Sequence, residues 1–414
     1  MRRSLLVLLA TACGAAVANV YFPQAITPLI ARGLAVGTAT AALVPTATQF
    51  GYAAGIALLV PLGDRLVHRR FVAALLTVTT LALIVAGVAP SLPVLLGAAV
   101  VVGMATVVPQ VLLPFAATLV APDRRGAVTG LLLSGLLSGI LLARAFGGLL
   151  GDWLGWRAPY LVSALLAATL AVVLARALPV TEPASRDSYL ALIGSPVRLF
   201  LKEPELRRSC LYQGLMFGGF TAGWTSLTLL ITGPTYGLSA SAVGLIALVG
   251  AASAFATAWA GRQADRRGPD AVSLASFLGA IVAAAVLTAA VTGGVGGLIA
   301  VALGMLLLDV AVQSGQVANQ ARIFALRPEM RSRLNTAYMT VAFLGGTAGS
   351  WLGVHAYLHF GWLSIPVLIT VATLIALLHA WRSTARARAV PSRKRRNQKR
   401  SRMRRQPDRL GTRG

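Results

Sequence analysis

Charged residues are scarce in this sequence. They make up 12% of its 414 residues, while hydrophobic residues make up 57%; a soluble domain carries about 25% charged residues. This balance excludes an ordinary soluble protein and is typical of a chain that is surrounded by lipid. Acidic residues are the rarest group, with 12 Asp and Glu against 37 Lys and Arg. An acidic residue inside an apolar stretch is therefore informative.

Cysteine is almost absent as well. Cys13 and Cys210 lie in separate apolar stretches, which excludes a disulfide framework and a cysteine-based metal site. His355 and His359 have the four-residue spacing of a helical metal pair, but no third ligand is near them in the sequence. A glycine-rich phosphate-binding loop is also missing, so ATP is not indicated as an energy source. The sequence predicts no enzyme activity, no metal and no other cofactor.

The net charge of +25 is concentrated at one end of the chain. Between Arg382 and Arg413 lie 14 of the 37 basic residues, opposed only by Asp408. This tail, residues 383–414, has no aromatic side chains to stack on bases, so nucleic acid is not the expected partner. Anionic lipid is, because each basic residue near a membrane surface contributes about 1 kcal/mol. The composition of the tail predicts that it is disordered.

Twelve stretches of the sequence are apolar over enough residues to cross roughly 30 Å of hydrocarbon. They are expected to be helices, because a segment in lipid has to satisfy its own backbone hydrogen bonds. The stretches, here called spans, lie near residues 5–30, 40–62, 71–89, 94–120, 127–150, 157–178, 210–232, 241–261, 271–291, 297–324, 332–356 and 361–381. The sequence therefore predicts an all-α membrane protein with twelve transmembrane helices.

The twelve spans fall into two groups of six. Residues 1–178 and 210–382 are predicted to form two pseudo-symmetric six-helix bundles, and the basic tail follows them. The linker at 179–209 contains several prolines and charges of both signs. The linker is either a hinge between the two bundles or a simple tether that joins them. Residues 198–208 are predicted to form a short helix on the membrane surface.

Most basic residues in the loops lie on one side of the predicted membrane. The loops on the other side contribute only Arg32 and Arg157. By the positive-inside rule, both termini and the linker are cytoplasmic. The chain is therefore expected to be a monomeric, multi-pass protein of the bacterial cytoplasmic membrane.

Two decapeptides that lie 200 residues apart indicate an internal repeat. PLGDRLVHRR at 61–70 and GRQADRRGPD at 261–270 each follow the second span of their half. The second decapeptide resembles the G-x-x-A-D-R-x-G loop signature of the major facilitator superfamily, at Gly261, Ala264, Asp265, Arg266 and Gly268. The first decapeptide keeps part of this pattern, at Asp64, Arg65, Arg69 and Arg70.

The fifth span carries a second resemblance to that family. Its small residues are spaced like the antiporter signature G-x8-G-x3-G-P-x2-G-G, at Gly130, Gly139, Ala143, Gly147 and Gly148, with Arg144 in the place of proline. Glycines on one stripe allow two helix backbones to approach closely. We expect this stripe to pack against the eighth span, in the other half of the chain.

The resemblance implies two bundles that rock about a central binding site. It also implies a cytoplasmic latch, in which Asp64 meets the start of the eleventh span and Asp265 meets the start of the fifth. Helix N-termini attract carboxylates, and Arg124, Arg125, Arg331 and Arg333 would strengthen that attraction. The alternative is that these loops carry only ordinary positive-inside charge, which accounts for the arginines but not for the aspartates.

The tenth span carries a stripe of polar residues. Asp309, Gln313, Gln316 and Gln320 have the spacing i, i+4, i+7, i+11, which places them on one helical face. Such a face is expected to line a cavity or to meet another helix, because lipid would leave the polar groups unpaired. Asp309 is the only acidic residue near a predicted bilayer midplane. It either couples transport to protons or pairs permanently with Arg144.

Arg144 itself lies inside the fifth span, where a charged residue marks a functional site by default. The alternative is that its side chain reaches out to the membrane surface. Further candidates for a cavity wall are polar or aromatic residues of other spans, at Asn19, Tyr21, Gln24, Gln49, Gln110, Gln213 and Trp224. The first three also resemble the start of sugar-efflux and drug-efflux members of the family.

The resemblance implies a secondary transporter. The leading hypothesis is proton-driven export of a small amphipathic compound, uncharged or weakly cationic, such as a drug, a sugar or a metabolite. One alternative is an importer or uniporter of a small polar nutrient. Another is a membrane receptor or scaffold that keeps the fold but transports nothing, since a fold does not fix a function.

Overall fold

A computed structural model describes residues 3–121, 124–182 and 187–403, with the side chains at 251, 254–258, 328 and 384–403 left out. Within these residues it contains sixteen α-helices. In chain order they are α1 (Arg3–Gly33), α2 (Thr38–Ala41), α3 (Leu43–Leu58), α4 (His68–Gly87), α5 (Leu92–Ala105), α6 (Val108–Thr118), α7 (Arg125–Leu154), α8 (Ala158–Ala177), α9 (Tyr189–Lys202), α10 (Pro204–Thr232), α11 (Ala240–Val249), α12 (Ser253–Arg267), α13 (Pro269–Thr288), α14 (Gly294–Leu326), α15 (Arg331–Phe360) and α16 (Ser364–Met403).

Ten helical segments of the described chain are long and apolar enough to cross a membrane. The two remaining predicted spans coincide with the α11–α12 pair and with α15. A short 3-10 turn at Gly250–Ala252 separates α11 from α12, and α15 carries several polar residues. The predicted all-α membrane architecture is therefore confirmed, and its order follows the predicted order of spans.

The internal repeat is visible in how the helices cross. In the first half, α1 crosses α7 where Gly14 lies against Gly139. In the second half, α10 crosses α15 where Gly218 lies against Gly349. These pairs are the first and fifth spans of each half, and in both the missing Cβ atoms let the backbones touch. The two bundles therefore use the same packing at equivalent helices.

The linker and the tail differ from expectation in their boundaries. The helix predicted at 198–208 is divided between the end of α9 and the start of α10, and α10 begins at Pro204, before the predicted start of the seventh span at 210. Proline is favourable there because its fixed φ suits the first turn of a helix.

α16 continues to Met403, whereas the sequence predicts disorder from residue 383. Extending an existing helix needs no new nucleus, and Arg and Ala are good helix formers; residues 404–414 lie outside the described residues.

The two ends of the helix bundle differ in charge. We call the end that carries Asp64, α9 and Arg331 the basic side. The end that carries Asp152 and the start of α11 is called the opposite side.

Candidate central cavity

A cavity of about 450 Å³ lies between the two halves of the molecule. Its wall is made by α1, α3, α6, α7, α10, α14 and α15. Arg144 and Asp309, near the middle of their helices, line its deep end, and Arg331 lines its mouth on the basic side. The cavity therefore reaches from the middle of the molecule to the basic side.

The polar stripe of α14 faces this cavity. Asp309, Gln313, Gln316 and Gln320 all line the wall, as their helical spacing predicts. Gln316 Oε1 accepts a hydrogen bond from Gln213 Nε2 at 3.5 Å. The stripe thus gives one side of the cavity a series of amides that can donate and accept hydrogen bonds.

Three further candidates also lie on the cavity wall: Tyr21, Gln110 and Gln213. Gln110 Nε2 donates a hydrogen bond to the hydroxyl of Tyr52 at 3.3 Å. An amide held in this way keeps a fixed orientation toward the cavity.

Asn19, Gln24, Gln49 and Trp224 were expected on the wall, but all four are buried between helices. Asn19 Nδ2 donates to Thr106 Oγ1 at 3.3 Å, and this hydroxyl donates in turn to the carbonyl of Ala16 at 2.9 Å. The pair ties α1 to the break between α5 and α6. The sequence could not separate these residues from lining residues, because a polar residue between two helices has the same spacing as one facing a cavity.

Arg144 is held inside the protein and does not reach the membrane surface, because its side chain is only 1% exposed. Its Nε–H donates a hydrogen bond to Gln24 Oε1 at 3.0 Å. Its guanidinium lies 4.0 Å from the ring centroid of Trp224 and 5.0 Å from that of Tyr21. Arginine suits such a place because its plane stacks on aromatic faces and it is more weakly hydrated than an ammonium group.

Asp309 is also buried, with 5% of its surface exposed. Its electrostatic neighbours are Arg144 and Trp224, but the described residues contain no ion-pair contact between Asp309 and Arg144. Its Oδ2 lies so close to Gly250 that a Cβ added there would be 2.6 Å away. The carboxylate therefore touches the backbone turn between α11 and α12, and permanent pairing with Arg144 is not observed.

A cluster of aromatic rings on the cavity wall was not predicted from the sequence. The ring centroids of Tyr52 and Phe343 are 4.5 Å apart, those of Phe217 and Phe343 are 5.0 Å apart, and those of Phe217 and Phe220 are 5.6 Å apart. All four rings line the cavity. They come from α3, α10 and α15, and in the sequence they are ordinary apolar residues. The three-residue spacing of Phe217 and Phe220 was the one available signal.

The glycine stripe of α7 packs against two neighbours, α1 of its own half and α11, which is the first part of the predicted eighth span. Gly139 lies against Gly14, and Gly147 lies against Phe22, both of α1. Only Gly148 meets the other half, at the backbone of α11, and Gly130 has open space around it. A stripe that is wide enough to serve two neighbours cannot be assigned to one of them from spacing alone.

The predicted latch residues are only partly brought together. Asp64 is half-buried and has Arg333 as an electrostatic neighbour, at the start of α15 as expected. Asp265 is exposed and makes no ion pair among the described residues, and Arg124 and Arg125 are exposed as well. The other predicted members lie outside this contact: Arg69 and Arg70 in the first turn of α4, Gly261 and Arg266 in α12, and Arg65 and Gly268 next to helix ends. Of these, Arg69 donates to the carbonyl of Ala175 in its own half.

A second cluster of charges, which the sequence analysis did not identify, lies on the basic side of the second half. Arg322 donates to Asp270 Oδ1 at 2.8 Å and to Asn319 Oδ1 at 2.7 Å. Arg208 donates to the same carboxylate oxygen at 2.7 Å and to the hydroxyl of Tyr212 at 2.9 Å. The cluster joins α10, α13 and α14, whose members are far apart in the sequence.

Asp270→Ala is expected to destabilise the second half by about 1–3 kcal/mol, since it removes the carboxylate that two arginines share. Arg322 is only 8% exposed and would lose its nearest counter-charge. Glu203→Ala is the control, because its partner Arg327 is 44% exposed and such a pair contributes at most about 1 kcal/mol. Thermal unfolding of the purified variants measures both. Equal melting temperatures for the two variants would contradict the expectation.

The opposite side is closed by contacts between the two halves. Asp152 Oδ2, at the end of α7, accepts a hydrogen bond from the backbone N–H of Ser241 at 2.8 Å. Ser241 lies in the first turn of α11, so the carboxylate also meets the positive end of the helix dipole. Thr46 Oγ1 and Ser350 Oγ are 2.9 Å apart and join α3 to α15. The molecule is therefore open on the basic side and closed on the other.

Asp152→Ala is expected to shift the protein toward opening on the opposite side. The lost charge-assisted hydrogen bond contributes about 1 kcal/mol at an exposed site, which corresponds to roughly a fivefold change in the ratio of states. Spin labels on Leu154→Cys and Leu238→Cys, both at exposed positions, would report longer distances. Asp152→Asn keeps an acceptor oxygen and should give an intermediate shift; unchanged distances in Asp152→Ala would rule out this contact as a closing element.

Comparison with known proteins agrees with this fold. A family model described as Major Facilitator Superfamily matches residues 7–349. The chain is 36% identical over 387 residues to the Uncharacterized transporter YgaY of Escherichia coli O157:H7, covering 94% of this chain and 97% of that protein. It is 29% identical over 278 residues to the Chloramphenicol resistance protein of Streptomyces lividans, covering 66% and 70% of the two chains.

A solved structure gives the same fold. The nucleoside transporter NupG superposes with a TM-score of 0.70 at 14% identity, covering 92% of this chain and 99% of that one. The family match extends over most of the chain. The chain therefore belongs to the major facilitator superfamily, whose members are multi-pass membrane transporters rather than enzymes and need no cofactor.

Proposed function

We propose that this transporter exports a small amphipathic compound by alternating access, with the proton gradient as its driving force. The observation that carries the proposal is the central cavity, which is closed at one end, lined by amides and aromatic rings, and has Asp309 and Arg144 at its deep end. A site between two bundles that open alternately is the usual arrangement in secondary transporters.

The direction of transport is supported by chemistry and by one relative. The cavity combines Tyr52, Phe217 and Phe343 with the glutamines of α14, which suits a compound with an apolar body and polar groups. One relative is named a chloramphenicol resistance protein, and export is one way in which a transporter can give resistance. In the proposed orientation the basic side is cytoplasmic, so the observed cavity is open to the cytoplasm, where an exporter loads.

Proton coupling is assigned to Asp309. It is the acidic residue of the cavity wall, it is buried, and it touches the turn at Gly250 between α11 and α12. In this proposal its carboxylate takes up and releases the coupled proton during the cycle. A change of charge next to a helix break gives a physical route from protonation to movement of the second half.

The latch on the basic side completes the cycle in this proposal. When the cavity closes to the cytoplasm, Asp265 would approach the N-terminus of α7, as Asp64 already lies near Arg333 at the start of α15. Both contacts would place a carboxylate at the positive end of a helix. The contact of Asp152 with α11 would open at the same time.

Import of a polar nutrient is the second candidate. The series of amides on the wall, continued by the hydrogen bond between Gln320 and Asn335 at 3.5 Å, also suits a substrate with many hydroxyl or ring nitrogen groups. The fold of the nucleoside transporter NupG is compatible with this candidate but does not favour it, because identity is only 14%.

The deciding experiment measures flux in inverted membrane vesicles that contain the purified protein. A substrate panel of apolar drugs, sugars and nucleosides is tested with and without an imposed pH gradient. Gradient-dependent accumulation inside inverted vesicles supports export, and gradient-driven loss supports import. If no compound moves and the pH gradient changes nothing, the scaffold alternative is favoured.

The membrane partners complete the proposal. We propose that the protein acts as a monomer in the bacterial inner membrane, with both termini cytoplasmic, and that the basic tail at 383–414 binds anionic lipid. Its 13 Lys and Arg residues lie where that leaflet is negatively charged. Binding of the full chain and of a chain that ends at residue 383 to vesicles with and without phosphatidylglycerol tests the lipid contact.

A further inference from the structure

We propose that the substrate carries a carboxylate, and that this group binds Arg144 at the deep end of the cavity. The inference rests on the proposed function, because it assigns the chemical class of the compound that the cavity takes. It differs from the sequence-based expectation of an uncharged or weakly cationic substrate.

Arg144 faces the cavity with an incomplete set of partners. A guanidinium has five N–H donors, and the Nε–H donates to Gln24 Oε1. Nη2 is buried and has no hydrogen-bond partner among the described residues. An arginine that is buried without acceptors is costly, so the missing acceptor is expected from a ligand.

The protein holds the side chain of Arg144 in one orientation. Trp224 lies against the guanidinium at 4.0 Å and Tyr21 lies at 5.0 Å from their ring centroids. The hydrogen bond to Gln24 fixes the Nε edge. With the faces and one edge occupied, the terminal nitrogens are the part left for a ligand, and two terminal N–H groups match the two oxygens of a carboxylate.

Asp309 is an electrostatic neighbour of Arg144, but the described residues contain no ion pair or hydrogen bond between the two side chains. Asp309 Oδ2 lies against Gly250 instead. The acid therefore does not occupy the terminal nitrogens of Arg144, and these can bind an anion that enters from the basic side. Arg331 at the mouth adds attraction for an anion along the route.

The body of the substrate follows from the remaining wall. Phe217, Phe343 and Tyr52 form the aromatic cluster above Arg144, and their rings suit a flat apolar group. The structure thus assigns an aromatic or similarly flat carboxylate. Such an anion would be expelled by an inside-negative membrane potential, which agrees with export from the cytoplasmic side.

Binding to the purified full-length protein tests the assignment with matched probes. Naphthoate and naphthamide have the same ring system and differ only in the carboxylate. We expect naphthoate to bind at least tenfold more tightly, measured by calorimetry. In Arg144→Gln the two probes should bind about equally, whereas Arg144→Lys should retain part of the preference for the anion.

Arg32→Gln is the control, because Arg32 is exposed at the end of α1, does not line the cavity, and its removal should keep the preference for naphthoate. Thermal unfolding shows whether each variant is folded, and Arg144→Lys replaces Arg144→Gln if the latter does not fold. The inference is overturned if naphthamide binds as well as naphthoate, if neither probe binds, or if Arg32→Gln abolishes the preference.

A flux measurement separates this inference from the proposed function. If naphthoate binds through Arg144 but no compound crosses vesicle membranes, the site assignment stands and the transport proposal fails. If vesicles export uncharged compounds and Arg144→Gln exports them equally well, transport stands and the carboxylate assignment fails.

Discussion

Asp309→Asn is expected to abolish transport against a concentration gradient while leaving downhill exchange of substrate. Asn has almost the same shape as the protonated acid but cannot release a proton. If one proton moves per substrate molecule, a pH difference of one unit sustains about a tenfold concentration ratio. In the variant this ratio should fall to one, whatever the direction of the gradient.

The measurement uses one preparation of vesicles for both activities. Accumulation under an imposed pH gradient reports coupling, and exchange of labelled for unlabelled substrate without a gradient reports the site itself. Gln313→Ala is the control, since Gln313 lies one turn away on the same face of α14; it should weaken binding but keep the gradient response. Normal accumulation in Asp309→Asn would exclude this residue as the coupling group.

Gly139→Val is expected to destabilise the first half and lower the yield of folded protein, whereas Gly130→Val on the same helix should fold normally. A Cβ at position 139 would collide with the backbone of Gly14, and a backbone cannot turn aside as a flexible side chain can. Overpacking of this kind costs about 1–3 kcal/mol and occasionally more. At Gly130 nothing lies within 4 Å of the added atom.

Gly130 and Gly139 both belong to the stripe of α7 that resembles the antiporter signature. A difference between the two variants would therefore come from helix packing and not from membership of the signature. Folded yield after size-exclusion chromatography and the melting temperature of the purified protein are the readouts. Gly349→Val in α15 should behave like Gly139→Val, because its Cβ would meet Gly218 in the equivalent crossing. Equal yields for Gly139→Val and Gly130→Val would show that the close crossing does not limit stability.

Periodicity made part of the site predictable. The stripe from Asp309 to Gln320 lies on the cavity wall because helix geometry repeats every 3.6 residues, so residues on one helix keep their relative directions in any fold. The same rule failed for Asn19 and Gln49, which are buried between helices. Periodicity fixes which residues share a face, but not what that face meets.

Contacts between distant parts of the chain were not predictable. Arg322 and Asp270 are hydrogen-bonded at 2.8 Å, and the ring centroids of Phe217 and Phe343 are 5.0 Å apart. In the local sequence, the first two look like ordinary loop charges and the other two look like ordinary core residues. A linker helix was expected at 198–208, but the structure has α9 at Tyr189–Lys202 and begins α10 at Pro204. Helix ends depend on the neighbours that satisfy the last backbone groups.

The sequence by itself determined that this chain lies in a membrane, that it is helical, and that its second half repeats its first. These properties follow from local quantities: the length of apolar runs, the spacing of residues and the need to satisfy backbone hydrogen bonds in lipid. Only the tertiary structure decided that Arg144 points inward with Nη2 unpartnered and that the cavity opens on the basic side. Both depend on which helices touch, and that choice is made by packing between residues far apart in the chain.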